Sequence, residues 1–147
     1  MMEKIKFEQV SKKFLVRDEN KKGAQREFTA IQGIDFSVKE GEFITLVGPS
    51  GCGKSTLLDL LTGLTNPTKG RILIDGREIN GPGLDRGIVF QQYALFPWKT
   101  ARGNIEFGLE AKGIPKKEWR ERTDYYLDLV GLKSYSDRYP HELSGGM

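Results

Sequence analysis

The strongest chemical signal in the chain is a run of nine residues: Gly48, Pro49, Ser50, Gly51, Cys52, Gly53, Lys54, Ser55 and Thr56. They fit G-x-x-x-x-G-K-[ST], the pattern of a loop that wraps phosphate groups. Chance would place that pattern in roughly one chain in a few hundred of this length. Gly48, Gly51 and Gly53 let the backbone bend so that successive N–H groups converge on anionic oxygens. Lys54 is a point charge suited to the outer phosphates of a nucleoside triphosphate, and Ser55 offers its hydroxyl to Mg²⁺. Thr56 falls at the inner phosphate. A glycine-rich turn that merely caps a helix would leave the Lys54-Ser55 pair unexplained.

Such a loop works only between a strand and a helix. Phe43, Ile44, Thr45, Leu46 and Val47 form a continuous apolar run, the pattern of a buried parallel strand. Leu57, Leu58, Leu60 and Leu61 follow the loop, and a helix is expected from 53 to 64, ended by Thr65-Asn66-Pro67-Thr68. Upstream, Ile5 to Val10 alternates and reads as a half-buried strand, extended by Phe14 to Val16; Phe28 to Val38 reads as another. Downstream, residues 71–74 and 77–79 flank Asp75-Gly76, a hairpin signal. Gly87 to Phe90 reads as a second short buried strand. Helices are expected over 101–112 and 116–130, the second with Trp119, Tyr126, Leu127 and Val130 on one packing face and closed by Gly131.

The 147 residues suffice for one domain with a real core. The net charge is only +3 and the basic residues are scattered, which argues against a nucleic-acid partner. Cys52 is the single cysteine, so no internal disulfide can form and a reducing compartment is expected. No apolar run approaches the roughly 20 residues that span a bilayer, and the start of the chain has no signal-peptide core.

The order of motifs carries a resemblance. A phosphate loop, then Val89-Phe90-Gln91, then Leu143-Ser144-Gly145-Gly146 resembles the nucleotide-binding subunit of an ATP-binding-cassette (ABC) transporter, from the first strand to the last residue. Leu95-Phe96-Pro97-Trp98 and the closing Met147 are similar to the importers of nitrate, alkanesulfonates and taurine. The resemblance implies an α/β P-loop fold of ABC type: an antiparallel β subdomain, a partial parallel core sheet around 43–47, and a helical subdomain. A single domain over 1–147 is expected, divided into a core at 1–91 and a helical part at 92–147.

It also implies ATP and Mg²⁺ as bound species. Phe14 matches the aromatic that stacks on adenine; its plainer reading is a half-buried packing residue. Gln91 matches the glutamine that meets Mg²⁺ and the attacking water, with Gln92 the lesser candidate. Catalytic roles then fall to Lys54 and Gln91, metal contacts to Ser55 and Gln91, and nucleotide contacts to Phe14, to residues 48–56, and to Ser144, Gly145 and Gly146 acting on the nucleotide of a second copy. Pro97-Trp98 reads either as a buried anchor or as a docking surface for a membrane subunit. The implied partners are transmembrane permease subunits, through them a solute-binding protein, and a second copy in a two-fold dimer, on the cytoplasmic face of the membrane.

The family's Asp-Glu strand and switch histidine, which follow the signature, have no counterpart here; His141 precedes the signature and reads as a loop residue. The chain therefore looks truncated, and as 147 residues it is expected to be inactive as an ATPase. Without a neighbouring strand, the 43–47 run is expected to present an unpaired edge. The alternatives are a non-transport ABC ATPase acting on DNA or ribosomes, and an inert nucleotide-binding remnant.

Overall fold

The computed structural model describes residues 3–18, 23–90 and 94–147. The chain divides into two compact units, Met1–Arg86 and Gly87–Met147. Among the described residues no helix is long and apolar enough to cross a membrane.

The first unit is built on a four-stranded antiparallel sheet in the order β2-β1-β3-β4. Two 15-residue strands, β1 (Glu3–Arg17) and β2 (Gln25–Lys39), form its long hairpin. β3 (Lys69–Ile74) pairs with the other edge of β1, and the two-residue β4 (Arg77–Glu78) folds back on β3. Asp75 and Gly76 both take positive φ, 50° and 73°, as a two-residue turn of this hand demands.

The parity of β1 changes part-way along. Phe7 and Val10 are both buried although three residues apart, so strict alternation cannot put both inward. Gln9, at φ 48°, is a bulge that resets the alternation. Asp35 on β2 steadies it, accepting from the Gln9 backbone N–H at 2.7 Å and from its side-chain amide. Phe7, Val10, Ile31 and Ile72 then meet Leu60 from the helix α1 (Lys54–Thr62) to form the core. Phe7 and Phe36 stack across the hairpin at 4.4 Å. On the outer face Glu8 accepts from Arg71 at 2.6 Å, with Lys6 at 3.0 Å; these two cations, Arg71 foremost, hold its carboxyl below the usual carboxylate range.

Two expected strands are not strands here. The 43–47 run has no ladder partner among the described residues, with Phe43 91% and Val47 89% exposed. Residues 87–90 are likewise irregular. An apolar run becomes a parallel strand only when strands on either side complete its hydrogen bonds, and the pairs present are all antiparallel. Among the described residues the expected partial parallel sheet is therefore not formed. What the 43–47 run does border is an apolar groove of about 480 Å³, with Phe7 and Phe36 of the sheet and Leu57 and Leu61 of α1.

The second unit contains α2 (Ala101–Ala111) and α3 (Lys116–Leu129), followed by 3₁₀ turns at Lys133–Tyr135 and Pro140–Glu142. Thr100 caps α2 by accepting from the Gly103 N–H at 3.1 Å. Leu109 of α2, and Thr123 and Leu127 of α3, are buried. The expected aromatic face of α3 is only partly right. Leu127 packs inward, but Tyr126 and Val130 are exposed, and Trp119 is half-buried with its indole N–H on the Ile114 carbonyl at 2.7 Å. Arg102 and Asp124 tie the helices together at 2.7 Å. His141 lies in the second 3₁₀ turn, stacked on Tyr139.

The buried-anchor reading of Pro97-Trp98 also fails, because Trp98 is 70% exposed. Phe96 is the anchor instead, edge-on to Phe107 at 4.7 Å. Asn104 clasps its backbone, accepting from the Phe96 N–H at 2.8 Å and donating to the Phe96 carbonyl at 3.2 Å. The asparagine amide nitrogen also lies within reach of the carbonyls of Lys99 and Thr100, so this one side chain ties several backbone groups of the bend before α2 together.

Candidate functional site

The phosphate loop keeps the local geometry its sequence dictates even where the strand before it does not form. Gly51 and Gly53 adopt φ of 80° and 97°, which turn the chain into α1. Gly53 is fixed by more than its dihedral: a Cβ there would stand 2.8 Å from the Ala30 carbonyl and 3.3 Å from an Ile31 side-chain carbon. The loop is thus seated on β2 at its last glycine. The Cys52 N–H donates to the Pro49 carbonyl at 3.4 Å, and the Leu57 N–H to the Gly53 carbonyl at 2.9 Å opens the helical ladder.

Gly53 is the N-cap of α1, and no side chain caps that end. The first turn of a helix has N–H groups with no intrahelical acceptor, and its dipole favours an anion there. Ser55 and Thr56 sit in that turn. The Lys54 ammonium folds back over the loop, donating to the carbonyls of Gly48 at 2.7 Å and Pro49 at 2.8 Å, with the Cys52 Sγ at 3.6 Å. Its cation is therefore held at the mouth of the backbone nest.

The loop faces a cleft of about 570 Å³, within the range of small-molecule sites. One wall is Ser50, Gly51, Gly53, Lys54, Ser55 and Thr56; the other is Phe14, Phe28 and Ala30. Phe14, placed at this site on resemblance alone, is thus brought to the loop by the hairpin, and is 38% exposed. Sequence reading missed Phe28. It is the direct cross-strand partner of Phe14, a register that becomes visible only once β1 and β2 are paired. Among the described residues the wall of the cleft holds both apolar rings and hydrogen-bond donors, but no carboxylate.

A site for a nucleoside triphosphate has to hold phosphates and base together, and this cleft has donors for the one and aromatic surface for the other. For Mg²⁺ the residues present fit a shared site only. Among the described residues no group of three or more His, Cys, Asp or Glu could hold a metal. Mg²⁺ is commonly bound by one or two protein ligands together with phosphate oxygens and water, and Ser55 can serve as one such ligand.

Gln91 and Gln92 lie outside the described residues. Ser144, Gly145 and Gly146 belong to the second unit, in an exposed turn where the Met147 N–H donates to the Ser144 carbonyl at 2.9 Å.

Cys52 is exposed within the loop and offers a readout. A phosphate chain seated in the nest would crowd its Sγ, which already lies close enough to Gly48 that a Cβ there would be at 2.8 Å. Alkylation of Cys52 is therefore expected to slow several-fold when Mg-ATP is added, since reactivity follows access. Mass-spectrometric labelling rates that are identical with and without nucleotide would show that the sulfur points away from the phosphates.

A family model described as "ABC transporter" matches residues 31–147. An uncharacterized ABC transporter ATP-binding protein of Methanocaldococcus jannaschii is 54% identical over 118 residues, 80% of this chain and 44% of that protein. The nitrate import ATP-binding protein NrtD of a Synechocystis species is 52% identical over 125 residues, 85% of this chain and 47% of that protein. The bicarbonate transport ATP-binding protein CmpC of Synechococcus elongatus is 48% identical over 123 residues, 82% of this chain and 19% of that protein. Among solved structures, the ATP-binding cassette MJ0796, dimeric and bound to ADP and Pi after hydrolysis, aligns with a TM-score of 0.79 at 32% identity, covering 96% of this chain and 63% of that one. The chain spans about half the length of the first two curated relatives, or less.

Proposed function

The chain belongs to the ABC transporter family, and on that premise we propose that it is the ATP-binding part of an importer of small anions. The observation that carries the reading is the cleft in which an uncapped helix start, Lys54 and Ser55 face Phe14. The phosphates would lie on the loop N–H groups of residues 48–56 and against Lys54, and the adenine on Phe14. Bound Mg²⁺ would neutralise charge on the outer phosphates, with Ser55 as its ligand from this chain. Gln91 is proposed as the second contact to the metal and the water.

Ser144, Gly145 and Gly146 are proposed to serve the nucleotide held by a second copy, in a two-fold dimer. The names of two relatives support the transport side: one is named for nitrate import and another for bicarbonate transport. We extend this to a small oxyanion as cargo, with permease subunits and a solute-binding protein as partners. The exposed Trp98 next to the anchored Phe96 suits the docking of a membrane subunit, where an apolar side chain is left uncovered.

Hydrolysis by the full ATPase would rest on positioning and charge neutralisation. The 147-residue chain alone is expected to bind Mg-ATP without turning it over, because among the described residues the cleft wall supplies no carboxylate to take a proton from water. Calorimetry should show saturable Mg-ATP binding, and a phosphate-release assay should stay at background. No binding would sink the nucleotide reading. Phosphate release that Lys54→Ala abolishes would sink the claim of inactivity.

A further inference from the structure

We infer that Phe28 is a second base-contacting residue, and that Phe14 and Phe28 together form a two-ring platform for the nucleobase, with Phe14 steadied by Lys12. The inference rests on the nucleotide reading above and adds to it a residue that no motif marks. Phe14 and Phe28 are paired directly across the β1–β2 hairpin. Directly opposed residues on antiparallel strands present their side chains on the same face, with Cβ atoms about 4.5–5.5 Å apart. Both rings line the phosphate-loop cleft, and both keep substantial exposed surface, 38% for Phe14 and 48% for Phe28.

Beyond the loop, the remaining wall residue is Ala30, whose small side chain leaves room beside the rings. A planar heterocycle delivered by a phosphate chain on Lys54 and Ser55 therefore meets aromatic carbon. Among the described residues no side chain of that wall offers a polar group to read the edge of the base. Base and ring are attracted through their π faces, so the platform needs area rather than hydrogen bonds.

Lys12 supplies the stiffness. Its ammonium stands 5.0 Å from the centre of the Phe14 ring, close enough for attraction to the ring face. It is not free to leave, being held at 2.7 Å by the Thr65 hydroxyl and at 2.7 Å by the Asn66 carbonyl, in the turn that follows α1. Lys12 is not part of the cleft wall, so it acts as a positioning residue and not as a ligand contact.

A cross-strand aromatic pair can also exist only to stabilise a hairpin, and the test has to separate the two roles. Binding of ATP and of inorganic tripolyphosphate is measured by calorimetry on the 147-residue chain, wild type against Phe28→Ala and Phe28→Tyr. Phe28→Ala is expected to weaken ATP by about fivefold to tenfold, the effect of losing part of a stacking platform. Tripolyphosphate, which has no base, should bind Phe28→Ala as it binds wild type, and Phe28→Tyr should restore the affinity for ATP. Equal weakening of both ligands would show a merely structural role and overturn the proposal, as would ATP binding that Phe28→Ala leaves unchanged. If wild type binds neither ligand, the nucleotide reading itself falls, and this proposal with it.

Discussion

Lys54→Ala is expected to weaken binding of ATP and of tripolyphosphate alike, by about 10- to 100-fold, with little change in thermal stability. Among the described residues the ammonium is the one side-chain cation in the cleft wall, and it already stands over the loop, bonded to the Gly48 and Pro49 carbonyls. Hydrogen bonds to a charged partner are worth about 1.5–3 kcal/mol when the site is partly desolvated. That range corresponds to roughly one to two orders of magnitude in Kd. Stability should hold because the loop is pinned by other means, the seating of Gly53 on Ala30 and the ladder bond from Leu57. Calorimetry with both ligands and a melting curve without ligand decide the matter. Equal ATP affinity in wild type and variant would remove Lys54 from the site. A collapse of the melting temperature would mean that the bonds to Gly48 and Pro49 hold the loop itself.

How far the sequence could be read depended on how local each cause was. The bend at 48–56 and the helix start after it were legible because both arise within nine residues, and the structure forms them without a strand before them. The Asp75-Gly76 turn was legible for the same reason. The 43–47 run was misread as to outcome, because whether an apolar run becomes a strand is decided by partners far away in sequence. Phe28 was passed over since its place beside Phe14 follows from register, and the register of β1 against β2 shifts at the Gln9 bulge and again between Val10 and Lys13, shifts that the apolar pattern does not show. On α3 the periodicity picked out a stripe, but only part of the helix is buried: Thr123 and Leu127 are covered, while Tyr126 and Val130 are exposed.

The bulge also sets the place where the first unit should be easiest to break. Gly70→Ala is expected to cost about 3 kcal/mol or more, lowering the melting temperature of the first unit by about 12 °C or more. Gly70 has a φ of 77°, and a Cβ on it would stand 2.3 Å from the Glu8 carbonyl oxygen and 2.4 Å from that of Gln9. Both obstacles are backbone, so no side chain can swing away. The positive φ alone would cost roughly 1–2 kcal/mol for an alanine. The rest comes from pushing β3 off β1 next to Phe7, Val10 and Ile72, which are core residues. Gly41→Ala separates the two contributions. Gly41 has nearly the same φ, 75°, but nothing lies within 4 Å of its Cβ position. It should lose only the conformational part, about 4–8 °C. Equal losses in the two variants would mean that the close approach of β3 to the bulge relaxes at no cost. A markedly larger Gly70→Ala loss would locate the strain at the seam between β1 and β3, the seam that also orients β1 as it carries Phe14 toward the cleft.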